Sequence, residues 1–299
     1  MLALLIVVLG GLSLIVGQLS AADARQSAER ATAAALARAR EALLGRAASD
    51  DNRPGSLPCP APDAGGQAAL FVGSRCPSTI GRYPWRTMKT GELRDGYGEL
   101  LWYALSPTLR DHPQAEPINA RTVTELRVDD RAGIAAVILA PGPALGGQGG
   151  RPGPAIGDYF EGGNADGDLD FVSGSTAPGF NDRVLPITRD ELFRLVGRRV
   201  LGEIGGADDQ ATALPNDGLR RHHRDSGAFP WADGNGDGYA DAGVGNGRVP
   251  YLDLQIPDWL DRNQWFTVVG YQRLSADTAR LTLDATTISS TVCASASCP

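Results

Sequence analysis

The chain has 299 residues and a formal net charge of −7, with Lys89 its only lysine. That balance excludes sequence-independent nucleic-acid binding, which needs clustered cations to displace phosphate counterions. With 42% hydrophobic residues the chain can build a stem and one large or two small packed units, while 38 Gly and 20 Pro call for a loop-rich, β-containing body.

Leu2 to Ala22 carries no charge and is rich in Leu, Ile and Val. At about 1.5 Å per helical residue, a helix over 1–22 is expected to cross a bilayer core of about 30 Å. From Asp23 to Ala48 the pattern continues as an Ala-rich, Arg- and Glu-decorated stem without proline. Leu36, Ala39, Leu43 and Ala47 recur at spacings of three and four, which predicts one apolar face. A cleaved export signal ending near Ala24 is the alternative. It is opposed by the lack of basic residues before the apolar run and by the unbroken helical pattern. Gly10, Gly11 and Gly17 suit close approach of neighbouring helices.

Ser49 to Pro62 breaks the stem, because each proline lacks a donor and restricts its predecessor. Gly81-Arg82-Tyr83-Pro84-Trp85 follows, then Asp95-Gly96-Tyr97-Gly98-Glu99-Leu100-Leu101-Trp102-Tyr103-Ala104, a glycine turn feeding an aromatic strand. An apolar N-terminal helix that runs into an amphipathic stem, followed by this turn and strand, resembles the type IV pilin and type II secretion pseudopilin family. The family's Asp-Pro-Trp-Gly-Asn-x-x-x-Tyr element is matched at Gly98, with Tyr97 in place of Trp and Gly96 in place of Pro. If Met1 is the first mature residue, Leu5 stands where the family carries Glu.

The resemblance implies an α+β fold: a long N-terminal helix, membrane segment plus stem, packed on antiparallel sheet beneath a loop-rich head. It implies a structural, minor filament subunit rather than an enzyme; the alternatives are a membrane-anchored, calcium-binding periplasmic or extracellular ectodomain outside a filament system and, after it, an anchored hydrolase. Partners would be other pilin or pseudopilin subunits, engaged through the N-terminal helix. The location would be the bacterial inner membrane with a periplasmic head, then an extracellular filament after assembly.

Val123–Val128 and Ile134–Leu139 read as strands, the second an unbroken apolar run and so central. Thr188 as N-cap with Glu191 predicts a capping box that opens a helix to Ile204, with Leu192, Leu195, Val196 and Val200 on one face. Trp265–Tyr271 and Ala279–Ala285 read as a closing strand pair. Leu57-Pro58-Cys59-Pro60 with Asp63 is echoed by Phe229-Pro230-Trp231-Ala232 with Asp233. Gly81-Arg82-Tyr83-Pro84-Trp85 is echoed by Gly247-Arg248-Val249-Pro250-Tyr251. The echo fits a duplicated helix–loop–sheet unit, 49–187 and 188–299, or chance recurrence of turn chemistry.

Cys59, Cys76, Cys293 and Cys298 suit two local disulfides, Cys59–Cys76 and Cys293–Cys298, in an oxidising compartment, although four cysteines allow three pairings. Zinc is the alternative, but no C-x-x-C occurs. Asp233, Asn235, Asp237, Tyr239 and Asp241 alternate around Gly238 like the first half of an EF-hand loop, which predicts structural calcium. Val244 occupies the place of the usual bidentate acid, so Asp225, Asp253 or waters would complete the shell. Asn164, Asp166, Asp168 and Asp170 repeat the alternation without the glycine. Solvated Asx turns are the competing reading of both loops. No nucleophile elbow, P-loop or H-E-x-x-H appears, and His222-His223 between Arg221 and Arg224 reads as a solvated loop.

Overall fold

A computed structural model describes residues 2–174, 179–206, 217–283 and 288–294, with the backbone alone over 2–20. The architecture is α+β. Helix α1 (Leu2–Ser49) runs unbroken into the body. Leu36, Ala39, Leu43 and Ala47 are buried, as their spacing predicts. Ala21 to Ser27 is exposed throughout, so this stretch stands clear of the body.

Among the described residues no helix is long and apolar enough to cross a membrane. This overturns the membrane-spanning segment expected over 1–22 as part of the fold. The helix whose side chains are described, 21–49, carries Asp23, Arg25, Glu29, Arg30, Arg38, Arg40, Glu41 and Arg46. Hydrocarbon does not accept charge at that density.

The first sheet holds β1 (Ile80–Arg82), β2 (Trp102–Leu105), β3 (Leu126–Val128), β4 (Arg131–Ala140), β5 (Asp170–Phe171) and β6 (Arg183–Thr188). Its order is β1-β2-β4-β3-β5, with β6 also on β4. The β4–β6 pairing carries a register shift between Ile134 and Ala136, and Ile134 pairs with Leu126 of β3 as well as with Thr188 of β6. The sheet is mixed rather than antiparallel throughout, because β3 and β5 run parallel. Ile134–Ala140 is buried on both faces: α1 and α2 (Arg189–Gly205) cover one, and Trp102, Tyr159, Phe160 and Phe171 cover the other. That is why this strand reads as a continuous apolar run.

Thr188 Oγ1 accepts from the Glu191 amide at 3.2 Å, so the predicted cap is present. The reciprocal half of the box is not formed, because the Glu191 carboxylate is drawn to Arg40 on the stem. Leu192, Val196 and Val200 are buried, but Leu195 is 37% exposed and lies off the apolar face. The antiparallel second sheet has the order β10-β9-β8-β7, from β7 (Asn246–Arg248), β8 (Val269–Arg273), β9 (Thr278–Leu283) and β10 (Ile288–Cys293). Trp265–Thr267 forms a 3₁₀ turn, so the predicted strand from Trp265 starts only at Val269. Helix α3 (Gly218–Ser226) carries His222 and His223, which the sequence places in a loop.

The same hydrogen-bonded unit occurs twice. Ala61 bridges Arg82 and Asp233 bridges Arg248. Gly81 faces Tyr103 across β1 and β2, and Gly247 faces Tyr271 across β7 and β8. Tyr103 Oη donates to the Pro58 carbonyl at 3.3 Å, and Tyr271 Oη to the Pro230 carbonyl at 2.8 Å. The amides of Arg86 and Leu252 donate to Gly66 and Gly238, each at 2.9 Å. A Cβ on Gly81 would lie 2.5 Å from the Ala61 carbonyl oxygen, and one on Gly247 2.4 Å from that of Asp233, so both positions need glycine for close approach. The structural counterpart of Asp233 is Ala61, not Asp63. Asp63 matches Asn235 instead, each accepting at 2.8 Å from the amide two residues on.

Candidate functional site

Two features could carry function: the face that docks the stem and the acidic loop of the second unit. Docking centres on the turn at Asp95. Its buried carboxylate accepts from Tyr97 N at 2.9 Å, Glu99 N at 3.0 Å and Gly142 N at 2.8 Å, which freezes the turn. The fixed turn presents Gly96 to the helix. Gly96 N donates to Thr32 Oγ1 at 2.9 Å, and Thr32 donates to the Ala28 carbonyl at 2.9 Å. A Cβ on Gly96 would sit 2.0 Å from that carbonyl oxygen. Position 96 therefore has room only for glycine.

Polar latches continue along the stem. Glu29 pairs with Arg183 at 2.8 Å, Arg38 donates to the Thr90 carbonyl at 2.9 Å, and Arg40 pairs with Glu191. At the helix end Arg199 donates to the carbonyls of Ala48 and Asp50 at 2.8 and 2.7 Å, as a cation at a helix C-terminus should. Arg46 bridges Asp50 and Asp111 beside a cavity of about 760 Å³ that Arg53 and Arg262 also line. Burial pushes the Asp50 carboxyl up, but the amides of Asn52 and Arg53 and the Arg46 guanidinium outweigh it and hold it below its usual value. Burial raises Asp111, helped by the charge on Asp50.

In the acidic loop Asp233 is 2% exposed, and its oxygens accept from Gly236 N at 2.5 Å and Gly238 N at 3.0 Å. Asp237 accepts from Tyr239 N at 2.9 Å, and Asp241 from Gly234 N at 2.8 Å and Asn235 N at 3.2 Å. Asn235 Nδ2 ties Asp237 to Asp241 at 3.2 and 3.3 Å. Tyr239 is exposed at the tip. Asp253 caps Ala240 N at 2.7 Å, whereas Asp225 is engaged by Arg224 and Arg221 on α3. The first unit makes the equivalent turn with Asp63 as its lone acid, so Asx geometry and Gly238 (φ +91°) suffice to shape the loop. Among the described residues no group of three or more His, Cys, Asp or Glu is placed to hold a metal ion.

The second acidic loop is divided between partners. Asn164 is buried, with Nδ2 donating to Asp182 Oδ2 at 3.0 Å and to the Val172 carbonyl at 3.1 Å. Asp166 and Asp168 cap Asp168 N and Asp170 N at 3.1 and 2.7 Å, and Asp170 pairs with Arg127 at 3.3 Å. Sequence reasoning missed Asp182, whose carboxyl is pushed up to about 7 by burial and by the neighbouring Glu161, against the Asn164 and Glu161 N–H bonds. No local motif marks it; the loop at Glu161 and strand β6 bring the two acids together.

Cys59 and Cys76 form a disulfide, as expected. Cys293 ends β10, and Cys298 lies outside the described residues. His223 Nε2 meets Asp277 at 2.7 Å, a surface contact. No protein-family description, no curated protein and no solved structure matches this chain.

Proposed function

We propose that this chain is a structural, minor subunit of a pilus- or pseudopilus-like filament, assembling through α1 and presenting its two-unit head outward. The observation that carries this reading is the division of α1. From Ala28 and Glu29 onward it is latched to the body through Gly96, Arg183, Thr90 and Arg199, while Ala21–Ser27 is exposed. A helix that projects beyond its own sheet offers side chains for packing against copies of similar helices. The Cys59–Cys76 disulfide suits an oxidising compartment.

Calcium at the 233–241 loop is a second part of the proposal. Asp233, Asn235, Asp237 and Asp241 are hard oxygen donors of the kind calcium prefers. Asp237 and Asp241 are held to one amide group, and a divalent cation would offset their mutual repulsion.

The test is mass spectrometry of the N-terminus in protein from its native cell, combined with disulfide trapping between cysteines placed at Arg25 and Ala31. A processed, N-methylated terminus and trapped chain-to-chain adducts are expected. Cleavage near Ala24, which would discard most of the apolar helix, would overturn the reading.

A further inference from the structure

Arg82 ends β1 and is 8% exposed. Its guanidinium lies between two rings, 4.2 Å from the Trp102 centroid and 4.0 Å from that of Tyr159. Stacking supplies cation–π attraction but leaves the N–H groups unmatched. Arg82 Nη1 and Trp102 Nε1 are buried without a hydrogen-bond partner, and the Tyr159 hydroxyl, also buried, lies beside the guanidinium. An unmatched buried donor is costly, so two in one ring stack point to a missing acceptor.

The acids nearby are engaged elsewhere. Glu99 pairs with Arg151 at 3.4 Å, and Asp63 accepts from Gly65 N at 2.8 Å. Arg82 and Trp102 line a cavity of about 370 Å³ together with Pro62, Asp63, Ile80, Pro152 and Pro154, and the Asp63 carboxylate there is turned to the Gly65 amide. The second unit sharpens the comparison. Arg248 occupies the register of Arg82, and its cavity is walled by Asp233 and Asp261. In the first unit Ala61 replaces Asp233, so the cavity keeps the arginine and loses that carboxylate.

We propose that this cavity binds a carboxylate carried on a small apolar body, with the carboxylate accepting from Arg82 and Trp102 and the body resting against the proline and isoleucine walls. A peptide's C-terminal residue and a free short-chain acid share this chemistry, and the probes below separate them.

The experiment uses the full chain and calorimetric titration with N-acetyl-L-leucine, N-acetyl-L-leucinamide and acetate, backed by tryptophan fluorescence. N-acetyl-L-leucine is expected to bind saturably with a millimolar or tighter Kd and the amide at least tenfold more weakly. Acetate equal to N-acetyl-L-leucine would assign a site for the free acid group; weaker acetate binding would assign a residue-sized ligand. Arg82→Gln should weaken binding at least tenfold. Trp102→Phe keeps the ring stack and removes one donor, so it should weaken binding severalfold even if Arg82→Gln does not fold. No saturable binding to the unaltered chain would mean that water completes the cluster, and would overturn the proposal. So would equal binding of acid and amide, or affinity unchanged in Trp102→Phe.

Discussion

Tyr103 and Tyr271 occupy one position in two copies of the same unit, each facing a glycine across the strand pair and each donating to a proline carbonyl. The bond is 3.3 Å to Pro58 and 2.8 Å to Pro230. Both rings are buried, and burial raises both phenols above their ordinary pKa, so the hydroxyls stay protonated as donors.

Tyr271→Phe is expected to cost about 1–3 kcal/mol, because it leaves the Pro230 carbonyl without its partner. Tyr103→Phe should cost less, since its bond is longer. Urea unfolding of the two variants checks the order, and equal losses would contradict it.

Gly96→Ala should loosen the stem. Its methyl group would meet the Ala28 backbone, which cannot yield without displacing the helix, and overpacking of this kind costs about 1–3 kcal/mol. Gly98→Ala is the control: it meets open space and bears only the strain of φ +89°. Limited proteolysis after Arg25 and Arg30 should accelerate in the Gly96 variant and change far less in the control.

Stability should fall as pH rises through the range set by Asp182. Its carboxyl titrates near 3.8 when unfolded and at about 7 when folded, so the folded state holds the extra proton between those values. Unfolding free energy from this group therefore declines from about pH 4 to pH 7 and levels off above. Asp182→Asn keeps the acceptor for Asn164 and Glu161 N and can donate to Glu161. Its melting temperature should be higher than that of the unaltered chain at pH 8, with a flatter profile below.

Asp233→Ala should lower the melting temperature even in chelator, because Gly236 N and Gly238 N lose their acceptor. Calcium should raise the melting temperature of the unaltered chain but not of Asp237→Ala. Identical melting in calcium and chelator would leave the carboxylates with a backbone role alone.

Features set by local chemistry were legible in the sequence. The stem face at Leu36, Ala39, Leu43 and Ala47, the Thr188 cap and the central strand around Ile134–Leu139 all follow from spacing or capping. The recurring Gly-Arg-x-Pro-aromatic segment also marked the repeated unit, yet similarity of letters aligned Asp63 with Asp233. Backbone bridges align Ala61 there instead, because register is fixed by hydrogen bonds rather than by side-chain identity. The parallel β3–β5 pairing, the diversion of Glu191 to Arg40 and the cluster at Arg82 depend on residues distant in the chain. No local pattern encodes them. The apolar run at 2–22 invited a membrane helix by length and composition, and among the described residues no helix meets that requirement.

The two units differ in what their helices do. Helix α1 extends beyond its sheet, whereas α2 begins at Thr188 directly from β6 and ends at Gly205 within the body. In any assembly held together by α1, heads and shafts would therefore count two to one. Each added chain would bring one shaft's worth of contact and two head units to the outer surface.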